Sequence, residues 1–199
     1  MTTSKRPPAG AAVLRPEITA AVTAALLQEL SEVGFGRLSI ERVARRAGVT
    51  KSAVYRRWDS KLDMVLELVT SALEQNIALP DTGTLHGDVR LVVTLVGRAL
   101  THPLAAKIVP DLLAEAARNP RVHQTLHDVI RSYQHKTSDL LVNRAIARGE
   151  LPTGTDPDLV TDLLVGPVYW RTAVMRGSGE PAYLDQLASA IISAVAPGH

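Results

Sequence analysis

The chain is predicted to be all-α, on three observations. Its apolar content, 46% of 199 residues with only 4% aromatic, rests largely on Ala and Leu, which are strong helix formers. Apolar residues recur at helical spacing along most of its length. Helix punctuation repeats too: a polar residue before Pro opens segments and Gly closes them.

Taken in order, residues 1–14 form a Pro/Ala/Gly-rich arm with two cations, Lys5 and Arg6. From Pro16, the positions Ile18, Val22, Ala25, Leu26, Leu30 and Val33 make a helical stripe that Gly34 ends. Ser39 is placed to cap a short helix reaching Ala47, and Gly48 ends it. Thr50 caps a second short helix through Arg57. Ser60 opens a third, with Leu62, Val65, Leu66, Val69 and Leu73 as its apolar face. Pro80 to Gly83 is a turn. Leu91 to Val96 is apolar nearly all round and reads as a central buried helix, because no second strand candidate exists to pair with it. His102-Pro103, Asn119-Pro120, Asp156-Pro157 and Glu180-Pro181 open the remaining four, giving nine helices. In the Asn119-Pro120 helix, Val122, Leu126, Val129, Tyr133, Leu140 and Leu141 face inward.

Charge is unevenly distributed. Residues 1–60 carry a net +5 and the remainder −3, the footprint of a polyanion-binding module on a near-neutral carrier. With no cysteine, disulfides, thiolate metal sites and cysteine nucleophiles are excluded. No stretch of about 18 uncharged apolar residues argues for a membrane span. No secretory h-region follows Lys5 and Arg6, so a cytoplasmic protein is expected. There is no HExxH, nucleophile elbow or Gly-rich phosphate loop, so an enzyme is not expected and no cofactor is implied. His123 and His127 stand at metal-capable i, i+4 spacing. Without a third ligand they read as surface histidines, and no metal site is expected.

Two short helices around a Gly-containing turn, followed by a longer one, fit a helix-turn-helix. Ile40, Val43, Ala44, Ala47, Val49, Val54 and Trp58 would form its core. Left outside are Thr50, Lys51, Ser52, Tyr55, Arg56 and Arg57, chemistry suited to phosphates and base edges. The run LSIERVARRAGVTKSAVYRRWDSKLDMV, Leu38 to Val65, resembles the signature of the tetracycline-repressor (TetR) family. The matching elements are the apolar–Ser–apolar start, the Ala-Gly-Val-Thr turn, the Val-Tyr pair, the aromatic Trp58 and the Ser-Lys before the next helix.

The resemblance implies a DNA-binding transcriptional regulator, with residues 15–60 reading duplex DNA and 61–199 binding an effector and dimerising. It assigns Thr50, Lys51 and Ser52 to the start of the recognition helix, and Tyr55 and Lys61 to the DNA backbone. Ser52 departs from a frequent Gly and Arg57 from a frequent His. Arg45, Arg46, Arg56 and Arg57 are added as candidate DNA contacts on charge. The expected partners are a double-stranded operator, a second copy of the chain and a small-molecule effector of unknown identity.

For dimerisation, the last two helices carry broad apolar faces, including Leu163, Leu164, Leu184, Leu187, Ile191 and Val195. Pro167 lacks an N–H and clashes with the Leu163 carbonyl, which should bend the helix at Gly166-Pro167, beside Tyr169 and Trp170. Candidate effector-lining residues are Leu66, Val69, Leu95, Leu113, Ile130, Tyr133, Thr137, Tyr169 and Trp170, a mostly apolar set that suits an apolar or amphipathic effector. An architectural DNA-binding protein or an activator without small-molecule control stays open as an alternative.

Overall fold

The computed structural model describes residues 16–74 and 79–196, with side chains placed for 16–71 and 79–196. The basic arm with Lys5 and Arg6, the side chain of Leu73, and His199 lie outside the described residues. Nine α-helices run through the described residues: α1 Pro16–Val33, α2 Ile40–Arg46, α3 Lys51–Tyr55, α4 Lys61–Glu74, α5 Leu85–Thr101, α6 Pro103–Ala116, α7 Pro120–Ala147, α8 Pro157–Tyr169 and α9 Pro181–Val195.

Their ends follow from local chemistry. His102 Nδ1 accepts from Leu104 at the start of α6, as that opening predicts, and Thr84, which the sequence reading did not single out, caps α5 by accepting from the Gly87 N–H. Asn119 accepts from Arg121 and Val122 at α7, and Asp156 from Asp158 at α8. The Ser39 cap does not form as expected: its hydroxyl donates to Glu41 Oε2 at 2.8 Å, so α2 begins without a side-chain cap bond.

Two apolar clusters organise the molecule. The first gathers Val22, Leu26 and Leu30 of α1, Val43 and Ala44 of α2, Val54 of α3, and Met64, Val65 and Leu66 of α4. It also draws in Ile108 and Leu112 of α6 and Leu126 of α7, so the core of the first four helices is not closed by those helices alone. The second gathers Val89 and Val93 of α5, Leu141 and Val142 of α7, Leu164 and Val168 of α8, and Leu184 and Ile191 of α9. Helix α5 lies at its centre, packed against α6, α7, α8 and α9, as its all-round apolar sequence predicts. No single described helix is long and apolar enough to cross a membrane.

Three expectations change. Leu140 is exposed rather than inward, and the buried place on that face goes to Ser138, whose hydroxyl bonds Thr161 of α8. Pro167, where a bend is expected, stands inside α8, and the helix runs on to Tyr169. The irregularity falls three residues later, in a π turn over Trp170–Val174, closed by the Met175 N–H donating to Trp170 O at 2.9 Å. Leu164, Leu184 and Ile191, expected at a dimer interface, are buried inside the protomer, while Leu163, Leu187 and Val195 are half-buried against the same cluster.

The second cluster is pinned by a buried charge. Asp88 is fully buried in α5 and accepts from Thr82 N at 2.9 Å, Thr82 Oγ1 at 2.8 Å and Arg148 Nη2 at 2.8 Å. Arg148 also grips Glu150 at 2.6 Å and Asp81 at 3.0 Å, and Glu150 in turn accepts the Leu85 N–H at the start of α5. Burial opposes the Asp88 charge, but the bonds from Thr82 and Arg148 outweigh it and hold the carboxyl below its ordinary range. Glu150 and then Asp88 push Arg148 further up.

A carboxyl lowered in the folded state stabilises above its unfolded pKa, and that contribution is lost as pH falls through the folded value. Urea melts between about pH 6 and pH 2.5 should therefore show stability falling from about pH 4 downward. In Asp88→Asn the acid decline should be shallower. An unchanged acid decline would remove Asp88 from the account.

Candidate nucleic-acid interface

The α2–α3 pair meets the geometry that a DNA-reading helix needs. Gly48 closes α2 with φ +68°, the left-handed backbone that glycine adopts without a Cβ clash. The Val49 N–H then reaches back to Ala44 O at 3.0 Å and the Gly48 N–H to Arg45 O at 3.2 Å, a Schellman closure. Thr50 caps α3 by accepting from the Ala53 N–H at 3.2 Å. Val54 and Trp58 are buried in the first cluster, which seats α3 and its following turn on α1, α2 and α4. All seven expected core residues take part, with Ala47 and Val49 half-buried.

The candidate contact residues then divide. Thr50, Lys51, Ser52, Tyr55 and Arg56 are exposed, on α3 or at its ends, as is Arg45 at the end of α2. Arg45 and Arg56 make no ion pair with any described residue. The Lys51 ammonium pairs with Glu41 and lies 5.4 Å from the Tyr55 ring centre.

Other cations are committed to the fold. Arg57 donates to Thr19 Oγ1 of α1 at 3.1 Å and to Glu67 Oε1 of α4 at 2.5 Å, and stacks over Trp58 at 5.0 Å. The Trp58 indole N–H donates to the other oxygen of Glu67 at 2.9 Å. Arg57 thus joins three helices of the head through a planar fork that a histidine could not supply. Arg46 is held by Glu29 at 3.1 Å and Glu32 at 2.6 Å. Lys61 donates to the carbonyls of Phe35 and Gly36, both at 3.1 Å, with its charge 4.7 Å from the Phe35 ring, leaving one ammonium hydrogen for a further partner.

Glu29 is the residue that sequence reasoning missed. It is buried within α1, with Oε1 2.5 Å from Arg42 Nε and Oε2 3.1 Å from Arg46 Nη2. The Oε1 contact is ionic, without hydrogen-bond geometry. The signal was present: Glu29 falls on the Val22–Leu26–Leu30 stripe, and Arg42 and Arg46 stand at i, i+4 on α2.

The last turn of α1 and the α1–α2 loop are also held from the body. Lys107 of α6 donates to Ser31 O, and Asp111 accepts the Gly36 N–H at 3.3 Å. At Gly34 (φ +73°) the backbone is strained for any side chain, and an added Cβ, 2.8 Å from Asp111 Oδ2, would also push the Asp111 carboxylate aside.

The effector candidates do not converge on one cavity. Leu66 is buried in the first cluster, and Val69 and Ile130 pack against it. Leu95, Leu113 and Trp170 are exposed, whereas Tyr133, Thr137 and Tyr169 are half-buried. A depression of about 360 Å³ lies elsewhere, lined by Thr84, Leu85, His86, Glu150, Ser189 and Ile192. Periodicity assigned these apolar residues to inward faces without saying which core they meet.

Comparison with known proteins agrees with this geometry. Residues 22–68 match the family described as bacterial regulatory proteins, tetR family, and residues 79–191 match the tetracyclin repressor-like C-terminal domain. An uncharacterised HTH-type transcriptional regulator of Mycobacterium bovis is 31% identical over 154 residues, spanning 77% of this chain and 74% of the relative. The DNA-binding transcriptional repressor TetR of Mycobacteroides abscessus is 28% identical over 183 residues, 87% of this chain and 91% of the relative. The crystal structure of the TetR family transcription regulator SCO0332 superposes with a TM-score of 0.73 at 25% identity, covering 91% of this chain and all of that one. The fold of FadR from Bacillus subtilis, solved with stearoyl-CoA, matches at a TM-score of 0.63 and 18% identity, over 90% and 98% of the two chains. Both parts of the chain are thus accounted for, and it belongs to the TetR family of HTH-type, DNA-binding transcriptional regulators.

Proposed function

We propose that the chain acts in the cytoplasm as a dimeric repressor that holds a palindromic operator and is released by an apolar or amphipathic small molecule. In this reading residues 15–60 read DNA and residues 61–199 dimerise and sense the effector. The observation that carries the DNA-binding part is the cluster of exposed donors on and beside α3: Thr50, Lys51, Ser52, Tyr55, Arg56 and Arg45. A two-fold dimer would present two such helices about one DNA turn apart, roughly 34–36 Å.

Selection of bound duplexes from a random pool should return a two-fold symmetric site. A pool without symmetry would contradict the reading. Arg45→Ala and Arg56→Ala should each weaken binding to all duplexes. Each should flatten the plot of log affinity against log salt by about 0.9 per protomer, as lost phosphate contacts do. Arg57→Ala should instead lower the melting temperature, since its fork is spent inside the head. An unaltered salt slope in both surface variants would move the DNA interface elsewhere.

For dimerisation, the apolar residues free of the protomer core offer the better face. Leu159, Trp170 and Val174 are exposed at 51%, 60% and 46%, and with half-buried Leu163 they follow one side of α8 and its π turn. Gly166 lies on the same side with nothing near its added Cβ, which permits close backbone approach. Leu163 is the residue of the expected interface set that stays on this side. Trp170→Glu and Val174→Glu should give a monomer of undiminished helicity by sedimentation and circular dichroism. Ile191→Arg should unfold the body by burying an unpaired charge. A Trp170→Glu Val174→Glu protein that stays dimeric would place the interface on another surface.

For effector control, the support is the grip of α6 on the head through Lys107 and Asp111, together with Tyr133, Thr137 and Tyr169 as half-buried hydroxyl carriers. An effector releases DNA only by binding the DNA-incompetent arrangement more tightly. Long-chain amphipathic compounds titrated into the selected operator complex should release DNA, and operator should weaken their binding by the same factor. No release across such a series would favour constitutive binding.

A further inference from the structure

The contact between Lys51 and Glu41 bears on how the protein tells its operator from other DNA, and it rests on the operator-binding reading above. Lys51 is the first residue of α3 and the one cation within that helix. In the free protein its ammonium is paired with the Glu41 carboxylate, ten residues earlier in the first turn of α2. The second Glu41 oxygen accepts from Ser39 Oγ at 2.8 Å. The carboxylate is thus anchored on α2, near the positive end of a helix dipole, and it stands against the recognition helix.

We propose that Glu41 is a specificity-determining residue: it masks Lys51 from the phosphate backbone, and a base edge of the right chemistry is needed to draw Lys51 away.

Three acceptors compete for the Lys51 ammonium. Any duplex offers Lys51 phosphate oxygens, which carry no sequence information. A guanine in the right register offers O6 and N7 in the major groove. While Lys51 stays on Glu41 the pair has no net charge and contributes nothing to counterion release. When Lys51 leaves, Glu41 is uncovered beside the polyanion. That cost falls on every duplex, but only a matched base edge returns a directional contact in exchange. Tyr55 adds to the selection, because its ring 5.4 Å from the ammonium gives the stem a second support and narrows its reach. Glu41 remains charged throughout the physiological range: the Lys51 bond, its own backbone N–H and Ser39 lower its carboxyl to about 2.

The pair is exposed on both sides, at 49% and 58%, so it adds little to stability, and Glu41→Gln should melt with the wild type. Binding of Glu41→Gln and wild type is to be measured on the selected operator and on a scrambled duplex of equal length, across a salt series. Scrambled-duplex affinity should rise about fivefold per protomer, the Coulomb scale of one contact charge in water. Its salt slope should steepen by about 0.9 per protomer as Lys51 becomes a free cation. Operator affinity should rise less, so the ratio of the two falls. In a Lys51→Ala background the slope change should vanish. An unchanged ratio and slope in Glu41→Gln overturns the proposal. So does an equal effect without Lys51, which would mean plain repulsion between Glu41 and phosphate. A wild type that does not prefer the selected site overturns the operator-binding reading itself, and this inference with it.

Discussion

A buried carboxylate governs the geometry of the DNA-binding end. Glu29 sits in the apolar stripe of α1 and holds Arg42 and Arg46 of α2, which are half-exposed at 40% and 30%. A charge taken from water is tolerated only when it is paired, so α2 has few orientations that satisfy Glu29. Helix α3 follows α2 through a four-residue turn closed on Gly48, so fixing α2 also fixes the direction of α3. Arg57 completes the frame from the other side, tying the end of α3 to Thr19 and Glu67. Arg46 and Arg57, which charge alone offers as DNA ligands, are therefore partly the scaffold that positions the exposed donors of α3.

The head is not independent of the body. Ile108, Leu112 and Leu126 complete its core, Lys107 holds the last turn of α1 at Ser31, and Asp111 holds the loop that leads into α2. That loop also receives Lys61 from the start of α4. A displacement of α6 or α4 would be felt at one short segment, residues 31–36, just before the helix that Glu29 orients. A signal from the body can thus reach the head through packing and two charged side chains.

Much of this was legible in the sequence, and what was missed has a common cause. Helix boundaries were readable because caps, Pro at the first turn and Gly at the end are local chemistry. The helix-turn-helix core was readable because its apolar residues lie within about 20 positions and alternate with donors in a recognisable pattern. What local spacing does not carry is the identity of the opposing surface. Leu164, Leu184 and Ile191 lie on apolar faces, yet those faces meet the same protomer, while Leu159, Trp170 and Val174 remain outside. Leu66 and Leu95 have the same helical periodicity, but one is buried in the head and the other is exposed. The Asp111–Gly36 bond joins residues 75 apart, a separation at which sequence spacing holds no information. Glu29 was the readable exception: a charge on an apolar stripe needs a partner, and Arg42 and Arg46 were spaced to supply it.

The Glu29 charge orients α2 and α3 on α1. Amide hydrogen exchange of Glu29→Gln against wild type tests it residue by residue, because local opening is resolved separately from global unfolding. The account predicts lost protection in α2, α3 and the C-terminal turn of α1, with α5, α7, α8 and α9 unchanged. Protection in α2 and α3 equal to wild type would contradict it, and so would a uniform loss across all nine helices.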